Sequence, residues 1–379
     1  MAIDNKDKKI LNVPPLRFPE FTEEWKAEQL DNIATLSKGI GISKEQLSED
    51  GEPCILYGEL YTKYKSEIIK QVESKTDING SKLKRSKAND VIIPCSGETA
   101  VDIATARCVP FDNILFGGDL NVISLHQYDG AFMSYQLNGK RKYDIARVAQ
   151  GVSIVHLYGE HLKAIKTYNP TLPEQQKIAK LLSLLDDRID TQNKIIERYE
   201  SLIRGIAQNV IRSNKPNVLL SECLECSSST LQESDVCENG TYPVYGANGI
   251  VGYLDDYNTE DEAVHIIKDG SGVGTVSYAT GRCSATGTLN TLQAKDGYLL
   301  QYLYYMLKVF NFEPYKTGMA IPHIYFKDYG KAKIFCPSYT EQLKYVELLS
   351  AIDNKLSAEQ SILTNLSLQK QYLLRQMFI

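Results

Sequence analysis

The segment Pro170-Thr-Leu-Pro-Glu-Gln-Gln-Lys177 occurs a second time, with changes, as Pro337-Ser-Tyr-Thr-Glu-Gln-Leu-Lys344. The two segments are 167 residues apart, and the same shift aligns Leu181-Leu-Ser-Leu-Leu-Asp186 with Leu348-Leu-Ser-Ala-Ile-Asp353 without a gap. Eight of the 21 positions from Pro170 to Asp190 are identical between the copies. Self-similarity at a fixed spacing is the sequence signature of a repeated structural unit. The chain is therefore predicted to be a tandem repeat.

The similarity between the copies continues towards the N-terminus. The same shift pairs Gly151 with Gly318 and His156 with His323. Further upstream the offset changes, and the matching pairs are Gly118-Asp-Leu-Asn121 with Gly287-Thr-Leu-Asn290 and Tyr57-Gly58 with Tyr245-Gly246. The second copy is shorter between these two landmarks. The two modules are thus expected to share one frame and to differ by an insert, which in the first copy carries Lys82, Lys84, Arg85 and Lys87.

Each copy ends in a stretch whose apolar residues recur alternately four and three positions apart, which is typical of a coiled-coil seam. The apolar seam positions on which the prediction rests are Ile178, Leu182, Leu185, Ile189, Ile196 and Ile203 in the first copy and Leu349, Ile352, Leu356, Leu363 and Leu373 in the second. A helix from Glu174 to Ile211 would be about 57 Å long. Two such helices are predicted to bury their seams against each other as an antiparallel coiled coil.

Two departures from the apolar seam carry hypotheses of their own. Polar Gln192 and Glu359 occupy equivalent seam positions, and a single polar seam position fixes register in other coiled coils. Lys370 occupies the position equivalent to Ile203, which suggests a local opening of the second seam where a partner subunit packs.

The sequence before each helix favours a mixed α/β module with a curved sheet. Short β-branched runs bounded by Gly, Asp or Asn, such as Val91–Pro94, Asn121–Leu125, Val264–Ile267 and Thr275–Tyr278, are typical of strands, whereas Tyr298–Phe310 has helical character. A chain of 379 residues is long enough for two such domains. The predicted organisation is an N-terminal arm (1–15), a first module (16–169), a first spacer helix (170–213), a second module (214–336) and a second spacer helix (337–379).

The composition is that of a globular cytoplasmic protein. No run of about 18 uncharged apolar residues is present, and the stretch Met1 to Val13 lacks the apolar segment of a secretory signal. The eight cysteines show no disulfide-like spacing. Cys223-x-x-Cys226, with Cys237 nearby, has a spacing seen in zinc sites, but a zinc site needs four ligands and no second Cys or His pair follows. The expectation is that the chain holds no metal.

Catalytic motifs are missing from the sequence. Asp269-Gly-Ser-Gly-Val-Gly-Thr275 has the closely spaced glycines of a phosphate-binding loop, but its counterpart in the first copy keeps one glycine and no helix opens after it. A strand-connecting loop is the preferred interpretation. The chain contains no Gly-x-x-x-x-Gly-Lys-Ser/Thr segment, no Asn/Asp-Pro-Pro-Tyr/Phe signature of adenine methyltransferases and no supported nuclease triad. No catalytic residues are predicted.

Local clusters of basic residues point to nucleic acid despite a formal net charge of −5, because whole-chain charge says little about one face. Two basic runs in one module suit phosphate contacts that position a protein on a duplex. The predicted DNA contacts of the first module are Lys82, Lys84, Arg85, Lys87, Lys140, Arg141, Lys142 and Arg147, and those of the second are Lys268, Ser271, Arg282, Lys316 and His323. For His156 and His323 a hydrogen-bonded structural role is favoured over contact with a ligand, although His323 is kept among the predicted DNA contacts.

The chain resembles the specificity subunit of type I restriction-modification enzymes. The residues that carry the resemblance are Val13-Pro-Pro-Leu-Arg-Phe-Pro-Glu-Phe-Thr22, Trp25 and the two Pro-x-x-x-Glu-Gln helices at Pro170 and Pro337. The resemblance implies that each module is a target-recognition domain for one half of a split, asymmetric DNA sequence. It also implies that the paired helices set the unread gap between the halves.

The partners that the resemblance implies are double-stranded DNA, two methyltransferase (modification) subunits and restriction/translocase subunits. S-adenosylmethionine, ATP and Mg²⁺ would then be bound by those subunits and not by this chain, and methylation of adenine N6 would be their chemistry. Two other interpretations remain open. One is a structural adaptor that binds only proteins, and the other is a stand-alone DNA enzyme, which the missing motifs disfavour.

Overall fold

The computed structural model describes residues 12–79 and 82–379, so that most of the predicted N-terminal arm lies outside the described residues. The described residues form two compact units. The first consists of the chain up to Thr191 together with Leu363–Ile379, and the second is Gln192–Ile362. Both units are mixed α/β, as predicted, and each contains parts of both long helices.

The first unit contains twelve strands among the described residues, most of them short. They are β1 (Lys26–Gln29), β2 (Ala34–Lys38), β3 (Glu52–Ile55), β4 (Lys75–Thr76), β5 (Lys84–Arg85), β6 (Asp90–Pro94), β7 (Ser96–Gly97), β8 (Arg107–Val109), β9 (Leu115–Phe116), β10 (Leu120–Leu125), β11 (Val155–His156) and β12 (Lys166–Asn169). The helices that begin in it are α1 (Leu30–Ile33), α2 (Glu59–Thr62), α3 (Ala100–Ile103), α4 (Gly130–Asn138), α5 (Lys142–Val148), α6 (Gly159–Lys163) and the long α7 (Leu172–Ser213).

The second unit has fewer strands, in keeping with its shorter sequence. They are β13 (Val218–Leu219), β14 (Leu224–Ser228), β15 (Tyr242–Gly246), β16 (Gly249–Leu254), β17 (Ala263–Ile267), β18 (Val276–Ala279), β19 (Ser284–Ala285), β20 (Leu289–Ala294) and β21 (Lys333–Ile334). Its helices are α8 (Leu220–Cys223), α9 (Leu300–Leu307), α10 (Phe326–Tyr329) and the long α11 (Tyr339–Gln376), which continues into the first unit.

The two units repeat one sheet topology. A four-stranded antiparallel sheet has the order β2-β10-β6-β8 in the first unit and β14-β20-β17-β18 in the second. The registers also correspond, because Leu120 is opposite Pro94 and Leu289 is opposite Ile267. Each unit adds one parallel strand pair, β3 with β9 and β15 with β19. The repeat seen in the sequence is therefore a repeat of strand order and register.

The predicted insert of the first copy adds strand structure to this frame. It contains β5, which pairs antiparallel with β9 and extends the parallel pair to a four-stranded sheet of order β4-β3-β9-β5. In the second unit the corresponding sheet has three strands, of order β16-β15-β19. Ile55 and Phe116 anchor the larger sheet, since both side chains are fully buried in one apolar cluster. Strand β5 is thus one difference between the modules, and it lies at a sheet edge.

Each Pro-x-x-x-Glu-Gln motif joins the start of a long helix to its module. The Gln175 amide donates to the carbonyl of Pro170 (2.8 Å) and accepts from the backbone N–H of Asp129 (2.9 Å) at the start of α4. Gln342 makes the equivalent bonds in the second unit, to the carbonyl of Pro337 (3.0 Å) and from the N–H of Leu299 (2.9 Å). Both glutamines are buried. Because an unpaired buried amide is costly, the glutamine at this position fixes how the helix leaves the module.

A tyrosine–aspartate pair repeats one step further along each helix. The Tyr135 hydroxyl donates to the Asp186 carboxylate (2.6 Å), and the Tyr305 hydroxyl donates to Asp353 (3.3 Å). Burial is the main cause of the raised pKa of both tyrosines, so that both stay protonated as donors. The aspartates that the sequence repeat aligns therefore serve one structural role.

The long helices bury the predicted seam. Helix α7 begins two residues before the predicted Glu174 and ends two residues after Ile211. In the first unit its residues Ile178 and Leu182 share a cluster with Met377 and Phe378, while Asp186 contacts Lys370, so the two helix segments there run antiparallel. The eleven predicted seam residues are buried or half-buried: Ile178, Leu182, Leu185, Ile189, Ile196, Ile203, Leu349, Ile352, Leu356, Leu363 and Leu373.

The structure contradicts the suggestion that Lys370 marks an open seam. Its ammonium lies 2.6 Å from Glu67 and 2.6 Å from Asp186, and the three side chains are all largely buried. Burial opposes the charge on Lys370, but the two carboxylates outweigh it and raise its pKa. The seam is closed at this point by an ion-pair network, which sequence periodicity could not reveal because Glu67 lies far away in the chain.

The polar seam pair makes direct contact in the second unit. The Gln192 amide donates to the carbonyl of Glu359 (3.0 Å) and to its side-chain carboxylate. We expect replacement of both residues with leucine to increase the thermal stability of the chain and to permit a shifted pairing of the helices. Disulfide trapping by cysteines placed along the two helices would measure register. A single unchanged register in the double variant would show that these residues do not select it.

Candidate nucleic-acid interface

The first basic run lies on and beside the edge strand β5. Lys82 and Lys87 are exposed, whereas Lys84 and Arg85 are half-buried within the strand. The Arg85 guanidinium donates two hydrogen bonds to the Glu52 carboxylate, at 2.6 and 2.9 Å, and this contact raises the pKa of Arg85. Arg85 would therefore have to release Glu52 before it could bind a phosphate, whereas Lys82, Lys84 and Lys87 do not share this ion pair.

The second basic run begins between α4 and α5 and continues onto α5. Lys140 is exposed, Lys142 is half-buried, and Arg147 is largely exposed at 3.5 Å from Asp144. Arg141 differs from its neighbours because it faces inward. Its guanidinium donates to the carbonyl of Ile379 (2.9 Å) and lies over the ring of Tyr168. These contacts favour a structural role for Arg141 over the predicted contact with DNA.

Helix α4 separates the two basic runs. At its start, the backbone N–H of Gly130 donates to the side chain of Asn89 (2.5 Å), which follows the first run. At its end, Gly139 leads into Lys140. Its nine residues, at about 1.5 Å each, make α4 about 13 Å long between Asn89 and Lys140. Groups at its two ends can therefore reach different phosphates.

Four of the five predicted residues of the second module lie close together. His323 bridges to Asp269 through its ring, with Nδ1 and Oδ1 2.6 Å apart, and pairs through its backbone with Thr317, next to Lys316. The carbonyl of Lys268 accepts from the N–H of Ile324, and exposed Ser271 lies in the adjoining loop. Lys316 is paired with Glu313 at 2.6 Å.

Arg282 lies away from this group, between β18 and β19. Its guanidinium is 4.8 Å from the centroid of the Tyr257 ring and 3.5 Å from Glu260. The structure therefore brings Lys268, Ser271, Lys316 and His323 together and leaves Arg282 apart.

The glycine-rich segment Asp269–Thr275 is a strand connection, as preferred from the sequence. It joins the antiparallel strands β17 and β18, and its turns are closed by backbone bonds such as that from the N–H of Gly274 to the carbonyl of Ile267 (2.9 Å). A strand and not a helix follows it, so the dipole of a helix N-terminus is not available to bind phosphate.

The cysteines with metal-like spacing have partly or fully buried thiols. Burial raises the pKa of Cys223 to about 12 and that of Cys226 to about 11, whereas zinc binds the deprotonated thiolate. In residues 12–79 and 82–379, no group of three or more His, Cys, Asp or Glu side chains is arranged to hold a metal ion.

Each unit contains a matching exposed hairpin that the sequence analysis did not single out. In the first, Gln150 and His156 exchange both backbone hydrogen bonds (2.9 and 2.7 Å) around residues 151–155. In the second, Thr317 and His323 do the same (2.9 and 2.8 Å) around residues 318–322. We call these hairpin 1 and hairpin 2. The shift of 167 residues could have located them, since it also aligns Ile154 with Ile321 and Tyr158 with Tyr325.

An open cavity of about 720 Å³ adjoins hairpin 1 in the first unit. Its lining comprises Tyr57, Gly58, Leu60, Tyr61, Thr62, Ser96, Gly97, Glu98, Asp102, Thr105, Arg107, Ser153 and Ile154. The Arg107 guanidinium is directed to the carbonyls of Tyr64 and Ala106. The cavity also presents the carboxylates of Glu98 and Asp102, and carboxylates accept hydrogen bonds from base amino groups but repel phosphates.

None of the helices in the described part of the chain combines the length and hydrophobicity needed to cross a membrane.

Relatives of known description match different shares of the chain. It is 24% identical over 283 residues to a putative type I specificity subunit of Mycoplasma genitalium, a match that covers 68% of this chain and 73% of the relative. It is also 27% identical over 116 residues to the specificity subunit of the Escherichia coli type I restriction enzyme EcoprrI, covering 31% of this chain and 29% of the relative.

Solved structures share the fold. The crystal structure of a type I restriction-modification S subunit from M. genitalium superposes with a TM-score of 0.67 at 20% identity, covering 97% of this chain and 99% of that one. A chain from a structural study of complex assembly in the type I restriction-modification system superposes with a TM-score of 0.53 at 16% identity, covering 96% and 99%. Both likenesses extend over almost the entire chain.

The family model described as the type I restriction modification DNA specificity domain matches twice, at residues 22–201 and 220–367. Each match contains one module and most of the long helix that follows it. Since the two matches together span well over half of the sequence, the chain belongs to the type I restriction-modification specificity family and is a specificity subunit with two recognition domains.

Proposed function

We propose that each module recognises one half of a bipartite, asymmetric DNA target and that the paired long helices set the length of the unread gap. The chain recruits two methyltransferase subunits, which methylate adenine N6, and the restriction/translocase subunits that use ATP. It is cytoplasmic and contributes recognition without catalysis. The proposed boundaries remain 16–169 and 214–336 for the modules and 170–213 and 337–379 for the spacer helices.

The observation that carries this proposal is the repeated antiparallel sheet, with the same strand order and register in both modules. Two modules that share one sheet but differ at its surroundings suit two DNA half-sites of different sequence. The insert strand β5 and the different loops after β6 and β17 supply that difference. The solved relative that comes from a study of complex assembly in a type I system supports a role within a larger complex.

The basic residues with free or exposed charges are the proposed phosphate contacts. In the first module they are Lys82, Lys84, Lys87, Lys140, Lys142 and Arg147, with Arg85 available if it releases Glu52. In the second they are Lys268 and Arg282, beside Ser271 and His323, with Lys316 available if it releases Glu313. Arg141 is the one predicted contact whose internal partners argue against this role.

Methylome sequencing tests the proposal directly. Cells that express this chain with its methyltransferase subunit should acquire a split motif of methylated adenines that is absent from cells expressing the methyltransferase subunit alone. The motif would give both half-sites and the gap. A stable complex that adds no motif would contradict the proposal and favour an adaptor that binds only proteins.

Salt dependence separates phosphate contacts from other roles. Replacing Lys82 and Lys87 with alanine should reduce the slope of log K against log salt by about 2, because each phosphate contact releases counterions worth about 0.9. The measurement is fluorescence anisotropy with a 40-bp duplex of arbitrary sequence at several salt concentrations. Arg141→Ala is the matched control, and it should lower thermal stability while leaving the slope unchanged. An unchanged slope in the double variant would remove these lysines from the interface.

A further inference from the structure

Hairpin 1 and hairpin 2 share a backbone geometry that depends on glycine. Gly151 has a φ of +121° and Gly318 a φ of +87°. A Cβ at either position would lie only 2.1 Å from the carbonyl oxygen of Ile154 or 2.3 Å from that of Ile321. Any other residue would therefore displace the loop backbone. The two copies keep the same tight loop although much of the surrounding sequence differs.

Apolar side chains occupy the tips of both loops. Val152 is 97% exposed and Met319 is 107% exposed, while Ile154 and Ile321 are 61% and 58% exposed. Side chains this exposed contribute nothing to a hydrophobic core, so folding does not account for them. Single exposed apolar residues are common, but a matched pair at the tip of the same loop in both modules is not explained by chance exposure.

A histidine, a tyrosine and a lysine lie at the base of each apolar tip, and the carboxylate of Asp269 also lies at the base of hairpin 2, with Oδ1 2.6 Å from Nδ1 of His323. His156 lies 3.2 Å from the Ser96 hydroxyl and stacks on Tyr158, and the Lys38 ammonium is 5.7 Å from the centroid of that tyrosine ring. In the second unit His323 stacks on Tyr325, and the Lys327 ammonium is 5.3 Å from its ring. A ligand that suits this arrangement has negative charges on its outside, which the lysine can contact, and apolar groups further in, which the hairpin tip can contact.

We infer that the two hairpins enter a groove of the DNA, where Val152 and Met319, supported by Ile154 and Ile321, make apolar contact with the bases of their half-sites. This inference rests on the proposed function and adds the residues that touch bases. Apolar side chains contact thymine methyl groups or wedge between base pairs in known complexes. Lys38 and Lys327 stand at the base of the hairpins, where the flanking phosphates pass.

The test compares substitutions at the two tips in the full-length chain. The probe is a 40-bp duplex that carries the bipartite motif returned by methylome sequencing, and the reference is a duplex of the same length with both half-sites scrambled. Val152→Asn and Met319→Gln, which remove the apolar contact without adding charge, should each weaken binding to the specific duplex by about tenfold or more. Their effect on the scrambled duplex should be much smaller, and the change in specific binding should not alter the salt slope. Val152→Met, which places the residue of hairpin 2 in hairpin 1, should bind within about threefold of the unchanged chain.

Controls separate a base contact from a folding defect and from a protein contact. Leu184→Asn and Leu348→Gln alter leucines of the long helices that are 51% and 50% exposed, and they should leave DNA affinity unchanged. Thermal unfolding of the tip variants should match that of the unchanged chain, because the altered side chains face solvent. Unchanged specific affinity in both tip variants would overturn the inference, as would loss of methyltransferase-subunit binding with normal DNA affinity. If no methylated motif is found at all, the proposed function fails first.

Discussion

Replacing Lys370 with leucine is expected to lower the free energy of unfolding of the first unit by about 3–5 kcal/mol, although it completes the apolar seam. The leucine would leave the carboxylates of Glu67 and Asp186 buried without their cation. Burial already raises the pKa of Asp186, with Lys370 offsetting part of the effect. Without Lys370 that pKa rises further, so the folded state holds a proton that the unfolded state releases. The loss of stability should therefore grow as pH rises above the unfolded pKa of Asp186.

Trp25 provides the measurement, because it is the only tryptophan of the chain and packs with Ile178, Leu182 and Phe378 in the first unit. Urea unfolding followed by its fluorescence reports on the unit that contains the substitution. Lys180→Leu removes an exposed lysine from α7 and should change stability by less than about 0.5 kcal/mol. Adding Asp186→Asn and Glu67→Gln to Lys370→Leu should recover part of the loss. A change below about 1 kcal/mol for Lys370→Leu would mean that water replaces the ammonium.

Lowering the pH from 7 to 4 is expected to destabilise the second unit by about 3 kcal/mol through His265 alone. This side chain is 1% exposed on β17, and neither ring nitrogen has a hydrogen-bond partner within the described residues. Burial lowers its pKa from 6.5 to about 4. The unfolded chain therefore takes up a proton below pH 6.5 that the folded chain refuses until about pH 4. The contribution of His265 to the free energy of unfolding is therefore constant above pH 6.5 and decreases as the pH falls from 6.5 to about 4.

The sequence repeat supplies a matched control for this pH dependence. The shared sheet register places Ile92 of β6 at the position equivalent to His265 of β17. Hydrogen exchange by mass spectrometry, corrected for the intrinsic effect of pH, should show lost protection in β17 peptides and little change from this cause in β6 peptides. His265→Ile should remove the difference and raise stability at pH 7 by about 1–3 kcal/mol, since it eliminates two unpaired buried nitrogens. Equal behaviour of wild type and variant between pH 7 and 4 would show that His265 is solvated.

The periodicity of apolar residues and the internal similarity of the sequence were sufficient to predict the architecture. A seam repeating every three to four residues specifies a helix and the face that it buries, because the burial of apolar surface depends on side-chain direction along one helix. The repeated Pro-x-x-x-Glu-Gln motif located both helix starts, and the structure adds that Gln175 and Gln342 join those starts to their modules. The matching sheets follow from the same repeat, whereas the family was indicated by the resemblance that the motifs at Val13–Thr22, Pro170 and Pro337 carry.

Contacts between residues that are distant in sequence decided whether each charged side chain is free or paired within the protein. Local sequence patterns do not reveal such contacts. Two predicted DNA contacts have partners inside the protein, since Arg85 bonds to Glu52 and Arg141 to the carbonyl of Ile379. Lys370 forms ion pairs that close the seam at a position where its charge had suggested an opening. Exposure is likewise a tertiary property, so Val152 and Met319 could be recognised as loop tips only once the hairpins were folded. The sequence by itself determined the repeat and the helices, because these depend on spacing along the chain, and its motifs carried the resemblance to the family. Only the tertiary structure assigned individual side chains to the core or to the surface, because electrostatic pairing and burial depend on distance in space.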